Sequence, residues 1–288
     1  MTLKGLYKKS VLLLKSAQIP TPALDARVII EHSLNINTRD FYSTDHVFLS
    51  AYTNRKTLRL IKRRAKHEPV AYLIGKKEFF GLDFFVDKNV LIPRPESEWL
   101  VEKALKKLSA ISNSSSVLDL GTGSGNIIIS IVKFLNNNQR LLKHKFFASD
   151  ISNKALVVAK KNAKLLNISN INFIHSDLFS NRLLKNNKFD LIIANLPYVP
   201  FGDADISTKY EPESAIFSSD NGAAIIKIFL KEAKKHINIK GLILIELDPR
   251  NAQKIKNCAK ENFPNAIIEL NKDLASLNRY LTIQSNQA

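Results

Sequence analysis

From residue 117 to the C-terminus, short apolar runs alternate with segments of helical period. The runs lie at 117–120, 146–149, 171–175, 189–194, 242–247, 266–270 and 280–283. Between them, helical spacing is read after a glycine-rich turn to about 135, then at 153–166, 222–236 and 251–262. Few architectures accommodate this pattern. A strand written as an unbroken apolar run is buried on both faces, and a helix after each strand forces parallel crossovers. The alternation predicts an α/β fold with a mostly parallel, doubly wound sheet. Ligands on such sheets bind beyond the carboxyl ends of the strands, so the residues following each run are the functional candidates.

The first 75 residues have a different texture. Leu3, Leu6, Ser10, Leu13 and Leu14 keep a helical period, Thr21-Pro22 reads as an N-cap with proline at the first helical position, and apolar spacing continues to 34. A further helix is predicted over 51–66, with Leu58, Ile61 and Ala65 on one face. Two aromatic runs then flank Gly81, a hairpin signal, and lead into Leu91-Ile92-Pro93-Arg94-Pro95-Glu96. Two prolines so close forbid a helix there, and Glu96 is expected to open one that runs to about 108. The predicted organisation is a helical domain over 1–75, a linking hairpin over 76–95 and the α/β domain over 96–288.

No apolar run approaches the roughly 18 residues of a membrane helix, so a membrane-spanning protein is not expected. The single cysteine, Cys258, can form neither an internal disulfide nor a metal cluster, which suits a reducing, cytoplasmic setting and no metal. The formal charge is +17. It has two readings: an electrostatic footprint for an anionic partner such as nucleic acid, or compositional drift, because 32 lysines, 27 asparagines and 31 isoleucines are what an AT-rich genome writes. The charge permits a nucleic-acid partner without requiring one.

Between the first strand and its helix stands Asp119-Leu120-Gly121-Thr122-Gly123-Ser124-Gly125-Asn126. The three glycines let the backbone turn sharply and come close to a ligand. Asn126 occupies the position where a dinucleotide fingerprint needs glycine, and a carboxylate before the first glycine repels a pyrophosphate. The next strand ends at Asp150, suited to a ribose diol, and the third at His175-Ser176-Asp177, near an adenine edge. A glycine loop with acids at three successive strand ends fits S-adenosylmethionine, whose sulfonium and ammonium are cationic.

Asn195-Leu196-Pro197-Tyr198 directly follows the run 189–194. A conjugated amino group, in a carboxamide or on a base, is a poor nucleophile until it is aligned and polarised. The Asn195 side-chain oxygen and the Leu196 carbonyl can each accept one N–H. Pro197 stiffens the turn, and the Tyr198 ring offers a stacking face. Such alignment can lower a barrier by up to about 7–11 kcal/mol.

These features together resemble the release-factor glutamine methyltransferases, the PrmC/HemK family. The resemblance extends over nearly the whole chain: His67-Glu68-Pro69-Val70-Ala71-Tyr72-Leu73-Ile74-Gly75, Phe79-Phe80-Gly81, the Pro93–Glu96 run, the glycine loop, Asp150-Ile151-Ser152, Ser176-Asp177-Leu178-Phe179, the Asn195 motif, Glu211-Pro212 and Lys272-Asp273-Leu274-Ala275. It implies a Rossmann-like class I S-adenosylmethionine-dependent methyltransferase sheet with an N-terminal helical domain and a linking β-hairpin. The implied reaction is direct SN2 methylation of the glutamine side-chain nitrogen in the Gly-Gly-Gln motif of class I peptide chain release factors, by a monomer. On this resemblance Gly121, Thr122, Gly123, Ser124, Gly125, Asp150, Asp177, Leu178 and Asn195 contact the cofactor. Asn195, Leu196, Pro197 and Tyr198 grip the glutamine, with Asn195, Pro197 and Tyr198 catalytic, while Arg94 and Glu96 stand near the entrance. The helical domain helps hold the release factor, for which Arg55, Lys56, Arg59, Lys62, Arg63, Arg64 and Lys66 offer either a docking patch or simply a solvated face.

The chain also departs from the family pattern. Leu196 stands where proline is usual, Asp248 in Ile245-Glu246-Leu247-Asp248 stands where the family has glycine after Glu-Ile, and Leu277-Asn278-Arg279 replaces a common Arg-Asp-Arg. Asn-Leu-Pro-Tyr also occurs in RNA adenine methyltransferases. Methylation of an exocyclic amine of RNA or DNA, and a catalytically silent module of the same fold, are therefore the alternatives.

Overall fold

The computed structural model describes residues 1–43, 46–110, 114–137, 144–203, 206 and 208–286, with only the backbone of Asn137. Its contacts divide into two units. The first comprises residues 1–76 with the 3-10 turn Thr208–Tyr210, and the second takes the rest from Lys77 onward.

The first unit is helical: α1 Leu3–Ser16, α2 Pro22–Leu34, α3 Thr38–Ser43, α4 Ala51–Arg64 and α5 Val70–Ile74. Thr2 Oγ1 accepts from the Gly5 amide (3.1 Å) and Ser50 Oγ from the Thr53 amide (3.0 Å), satisfying orphan donors at the starts of α1 and α4. Leu14, Ile19, Ala26, Ile29, Ile61 and Leu73 form one buried cluster, and Leu3, Leu6, Ile30 and Phe41 another. Thr21 precedes α2 as expected but does not cap it. Its hydroxyl donates to Asp25 Oδ1 (2.8 Å), whose other oxygen accepts from Arg64 Nε (2.6 Å). The short α3 and α5 were not anticipated, being too brief to show a period.

The second unit opens with a hairpin, β1 Lys76–Phe79 and β2 Leu82–Phe85, that turns through Phe80 and Gly81 at φ 52° and 70°. Phe79 and Phe84 are buried with Leu100, Val101 and Ile128 in the core of this unit. The helix expected at Glu96 starts as a 3-10 turn, Pro95–Ser97, and continues as α6 Glu98–Ser109. Then follow β3 Ser116–Leu120, α7 Asn126–Asn137, β4 Lys145–Asp150, α8 Asn153–Leu165, β5 Ile171–His175, α9 Arg182–Lys185 and β6 Phe189–Ala194. After the short parallel pair β7 Val199–Pro200 and β8 Phe217–Ser218 come α10 Ala224–Ala233, β9 Ile237–Glu246, α11 Ala252–Asn262, β10 Ile267–Lys272 and β11 Asn278–Gln284.

The main sheet has seven strands in the order β10-β11-β9-β6-β3-β4-β5. β9, β6, β3, β4 and β5 are parallel, and β11 runs antiparallel to both its neighbours. Alternate residues feed two separate cores. Leu118, Ile192, Ile243 and Leu281 face α10 and α11, whereas Val117, Leu191, Leu244 and Tyr280 face α6 and α7. β9 begins earlier than the apolar run because Lys240 (φ 60°) and Gly241 form an irregularity that still keeps residues 237–241 in the strand. Register aligns the strand ends: Leu120 pairs with Ser149 and with Ala194, and Ala194 with Ile245. Asn195 and Glu246 therefore lie side by side, one residue beyond that pair.

Candidate active site

The glycine loop is lashed to the end of β4. The amides of Gly121 and Thr122 donate to the Ser149 carbonyl (2.8 and 2.9 Å). Those of Gly123 and Ser152 donate to opposite oxygens of Asp150 (2.9 and 2.8 Å). Burial raises the Asp150 pKa, and these two amides oppose that rise. Buried Asn162 of α8 clamps the loop from below, donating to the carbonyls of Ser124 (2.8 Å) and Phe85 (3.0 Å) and accepting from the Phe85 amide (2.7 Å). At Gly125 the φ of +80° disfavours any side chain, and a Cβ there would lie 2.7 Å from Ile129 Cδ1, which would have to shift. Above Gly123 the space is open for at least 4 Å. Asp119, expected to face a cationic ligand, lies beneath the loop and is 1% exposed. Its Oδ2 accepts from Thr122 Oγ1 (2.7 Å), while Oδ1 is buried with no hydrogen-bond partner among the described residues. Burial pushes its pKa up to about 7, with Thr122 opposing and Asp150 reinforcing.

Across the cavity, the Asn195 carboxamide is fixed by a buried carboxylate. Asn195 Nδ2 donates to Ser97 Oγ (2.9 Å) and to Glu246 Oε2 (3.2 Å). Ser97 Oγ donates to the same Oε2 (2.7 Å), and the Tyr198 hydroxyl donates to Oε1 (2.7 Å). Because the Ser97 proton is directed at Glu246, its oxygen faces Asn195 as an acceptor. Both neighbours of Nδ2 are therefore acceptors, which fixes the sense of the amide. Asn195 Oδ1 makes no hydrogen bond among the described residues, and Asn195 lines the cavity. Burial raises the Glu246 pKa, against the Ser97 and Tyr198 hydroxyls and Arg279. Burial, then Glu246 itself, holds the Tyr198 phenol well above its ordinary pKa, so it remains a neutral donor.

A cavity of about 270 Å³ opens between these two constructions, close to the lower end of small-molecule sites. Of the cofactor candidates, Gly121, Thr122, Gly123, Ser124, Asp150, Asp177, Leu178 and Asn195 line it, and Gly125 does not. Of the substrate candidates, Arg94, Asn195, Leu196 and Pro197 line it, whereas Tyr198 and Glu96 do not. Tyr198, expected to present a stacking face, instead directs its hydroxyl to Glu246 and packs against the core. A buried phenol needs such a partner. Glu96 is exposed, and its carbonyl accepts from the Tyr280 hydroxyl (2.8 Å). Arg94 Nη2 is paired with buried Glu211 (2.5 Å), whose other oxygen accepts from the Ile92 amide (3.0 Å). This pair joins the Pro93–Pro95 run to the segment whose Pro212, Ser214 and Phe217 complete the lining.

Sequence reasoning missed Ser97 and the part played by Glu246. The signal was present as one acid ending an apolar strand, Leu242-Ile243-Leu244-Ile245-Glu246. The departures from the family pattern also acquire physical sense. The Leu196 side chain packs 3.2 Å from where a Gly121 Cβ would lie. Asp248 sits at φ −69°, a conformation that needs no glycine, and accepts from the Arg250 amide (2.8 Å). Arg279 Nε donates to Asp273 (2.7 Å), closing the β10–β11 turn. In the first unit Arg55, Arg59, Lys62 and Lys66 share one face of α4 and its following turn. With Leu58 and Arg63 they line a groove of about 380 Å³. Arg63 and Arg64 are paired with Glu68 and Asp25, whereas those four have no ion pair among the described residues.

Fold and sequence together define the class. Residues 111–285 match the model for a methyltransferase domain, and the unit has the class I S-adenosylmethionine-dependent methyltransferase fold. A solved methyltransferase from Pyrococcus furiosus shares the fold with a TM-score of 0.53 at 18% identity, over 78% of this chain and 99% of that one. Residues 6–75 match the PrmC N-terminal domain. The release factor glutamine methyltransferase of Buchnera aphidicola subsp. Baizongia pistaciae is 36% identical over 261 residues, 89% of this chain and 90% of that protein. A bifunctional methyltransferase of Rickettsia bellii is 32% identical over 97% of this chain, which spans 53% of that longer protein. The chain belongs to the release factor glutamine methyltransferase family.

Proposed function

We propose that this protein transfers a methyl group from S-adenosylmethionine to the side-chain amide nitrogen of a release-factor glutamine, the one in the Gly-Gly-Gln motif. The observation that carries this reading is the fixed Asn195 carboxamide, with its nitrogen directed inward to Ser97 and Glu246 and its oxygen left for the cavity. An acceptor held there suits an NH₂ group whose N–H bonds must be gripped while its lone pair is aimed elsewhere.

The residues present fit the cofactor. The open face above Gly123 admits a ligand against the backbone, and Asp150, braced by two amides, keeps lone pairs for ribose hydroxyls. Asp177 and Leu178 border the same cavity on the β5 side. Bound there, S-adenosylmethionine supplies an electrophilic methyl on a sulfonium. The protein's own part is positional. Asn195 Oδ1 and the Leu196 carbonyl accept the glutamine N–H groups, Pro197 stiffens that turn, and Tyr198 braces it through Glu246. As the nitrogen gains positive character its N–H groups become better donors, so these acceptors bind the transition state more strongly than the ground state. The proton departs after transfer, so no general base is required before it.

On this reading residues 96–288 form the catalytic domain, 76–95 the link and 1–75 a docking domain. The cations along α4 that have no ion pair among the described residues suit an acidic surface of the release factor, and the reaction takes place in the cytoplasm. Incubation with labelled cofactor and either a release factor or nucleic acid tests the proposal. Label in the release factor supports it; label confined to nucleic acid refutes it.

A further inference from the structure

The sequence reading gives the Glu246 carboxylate no role, yet three donors from two segments converge on it: Ser97, and Asn195 and Tyr198 of the lining turn. It is 1% exposed at the end of β9. An acid so buried is costly unless it is fully hydrogen-bonded, and this one holds the lining turn from behind. We propose that Glu246 is the positioning residue for methyl transfer: its acceptor oxygens set the Asn195 carboxamide with the nitrogen inward and the oxygen toward the substrate nitrogen. The inference rests on the function proposed above and extends it to a residue that does not touch the substrate.

Without Glu246 the Asn195 amide has no fixed sense. A carboxamide is nearly symmetric in shape, and only its partners decide which end faces the cavity. Ser97 alone cannot decide, because a hydroxyl can donate as readily as accept. It accepts from Asn195 because its own proton is drawn to Glu246 Oε2. A glutamine at 246 would place an NH₂ group either against Asn195 Nδ2 and Ser97 or against the Tyr198 hydroxyl. In the first case Asn195 turns over and offers the substrate a donor. In the second the phenol loses its acceptor and the brace loosens. The other groups facing this carboxylate are Arg279 and Tyr280 on β11 and Glu96 before α6. Arg279 is already held by Asp273.

The test is a double-mutant cycle on the full-length protein with kcat, release-factor KM and cofactor affinity as readouts. Glu246→Gln is expected to lower kcat about tenfold to a hundredfold, the effect of one hydrogen bond to a charged group. Cofactor affinity should stay within about twofold. In the Asn195→Ala background the same change should lower kcat by about threefold or less, the part that passes through the Tyr198 brace, because the rest acts through the missing side chain. Equal losses in both backgrounds, or no loss in either, would overturn the proposal. If Glu246→Gln does not fold, Ser97→Ala, which keeps the carboxylate, should show the same dependence on Asn195 with a smaller factor.

A second readout needs no substrate. The Asn195 side-chain NH₂ resonance, assigned by its loss in Asn195→Ala, should exchange slowly in the wild type and rapidly in Glu246→Gln. Equal exchange in the two proteins contradicts the positioning role. Protection in a wild type that fails to methylate a release factor would instead refute only the substrate assignment.

Discussion

Replacing Asn195 by alanine removes one cavity-facing acceptor and little else. In the wild type the side chain donates to Ser97 and Glu246 and leaves Oδ1 without a hydrogen bond among the described residues. After the replacement, Ser97 and Tyr198 still donate to the carboxylate at 2.7 Å each, so no buried donor or charge is newly stranded. Loss of these two partly buried hydrogen bonds, one to a carboxylate, should then cost about 2 kcal/mol of stability. Catalysis should suffer more, because the missing acceptor strengthens its grip only as charge grows on the nitrogen. A preorganised hydrogen-bonding group of that kind is worth about 2.7–4 kcal/mol, or roughly 10²–10³ in kcat. The assay is steady-state transfer of labelled methyl to a release factor, with cofactor affinity from calorimetry and stability from urea unfolding. The expected result is a kcat loss of that order with the cofactor dissociation constant within about threefold of wild type. Equal loss of turnover and cofactor affinity would refute the assignment of Asn195 to the substrate.

Gly222→Ala places a Cβ 1.9 Å from the Tyr198 carbonyl oxygen at φ +90°; the backbone strain alone is about 1–3 kcal/mol, so both melting temperature and kcat should fall, and an unchanged kcat would contradict the dependence of turnover on the placement of the Asn195–Tyr198 turn. Asp119 binds its proton more tightly folded than unfolded, so its contribution to stability should be full below about pH 4 and be lost as pH rises through about 7. Asp119→Asn should remove that part of the decline in ligand-free unfolding curves, and an identical slope in both proteins would count against it. Glu211→Gln weakens the grip on the Ile92 amide and Arg94; because Arg94 is more than a third exposed, the cost should lie near about 1.5 kcal/mol in urea unfolding, and no change would show that the pair is not structural.

The parallel sheet and the ligand edge were legible because the core strands are mainly apolar runs and the turns after β3, β4 and β5 carry glycine or an acid. The 189–194 run and β6 coincide, as do 171–175 and β5. What stayed hidden was pairwise. Nothing local joins Ser97 to Glu246, 149 residues apart, or Arg94 to Glu211, 117 apart. The register that brings Ala194 beside Ile245 is a property of the assembled sheet. Tyr198 illustrates the same limit. Its ring was read as a face for the substrate because the motif stops at Tyr198, whereas the buried acid that captures its hydroxyl lies 48 residues further on, at the end of β9.

The most direct test of the central claim is peptide mass mapping of a release factor after reaction with this protein and S-adenosylmethionine. The account predicts one added methylene, on the glutamine of the Gly-Gly-Gln peptide, absent when Asn195→Ala replaces the wild type. A release factor left unmodified by the active wild type, or a methyl group found on another residue, would contradict it.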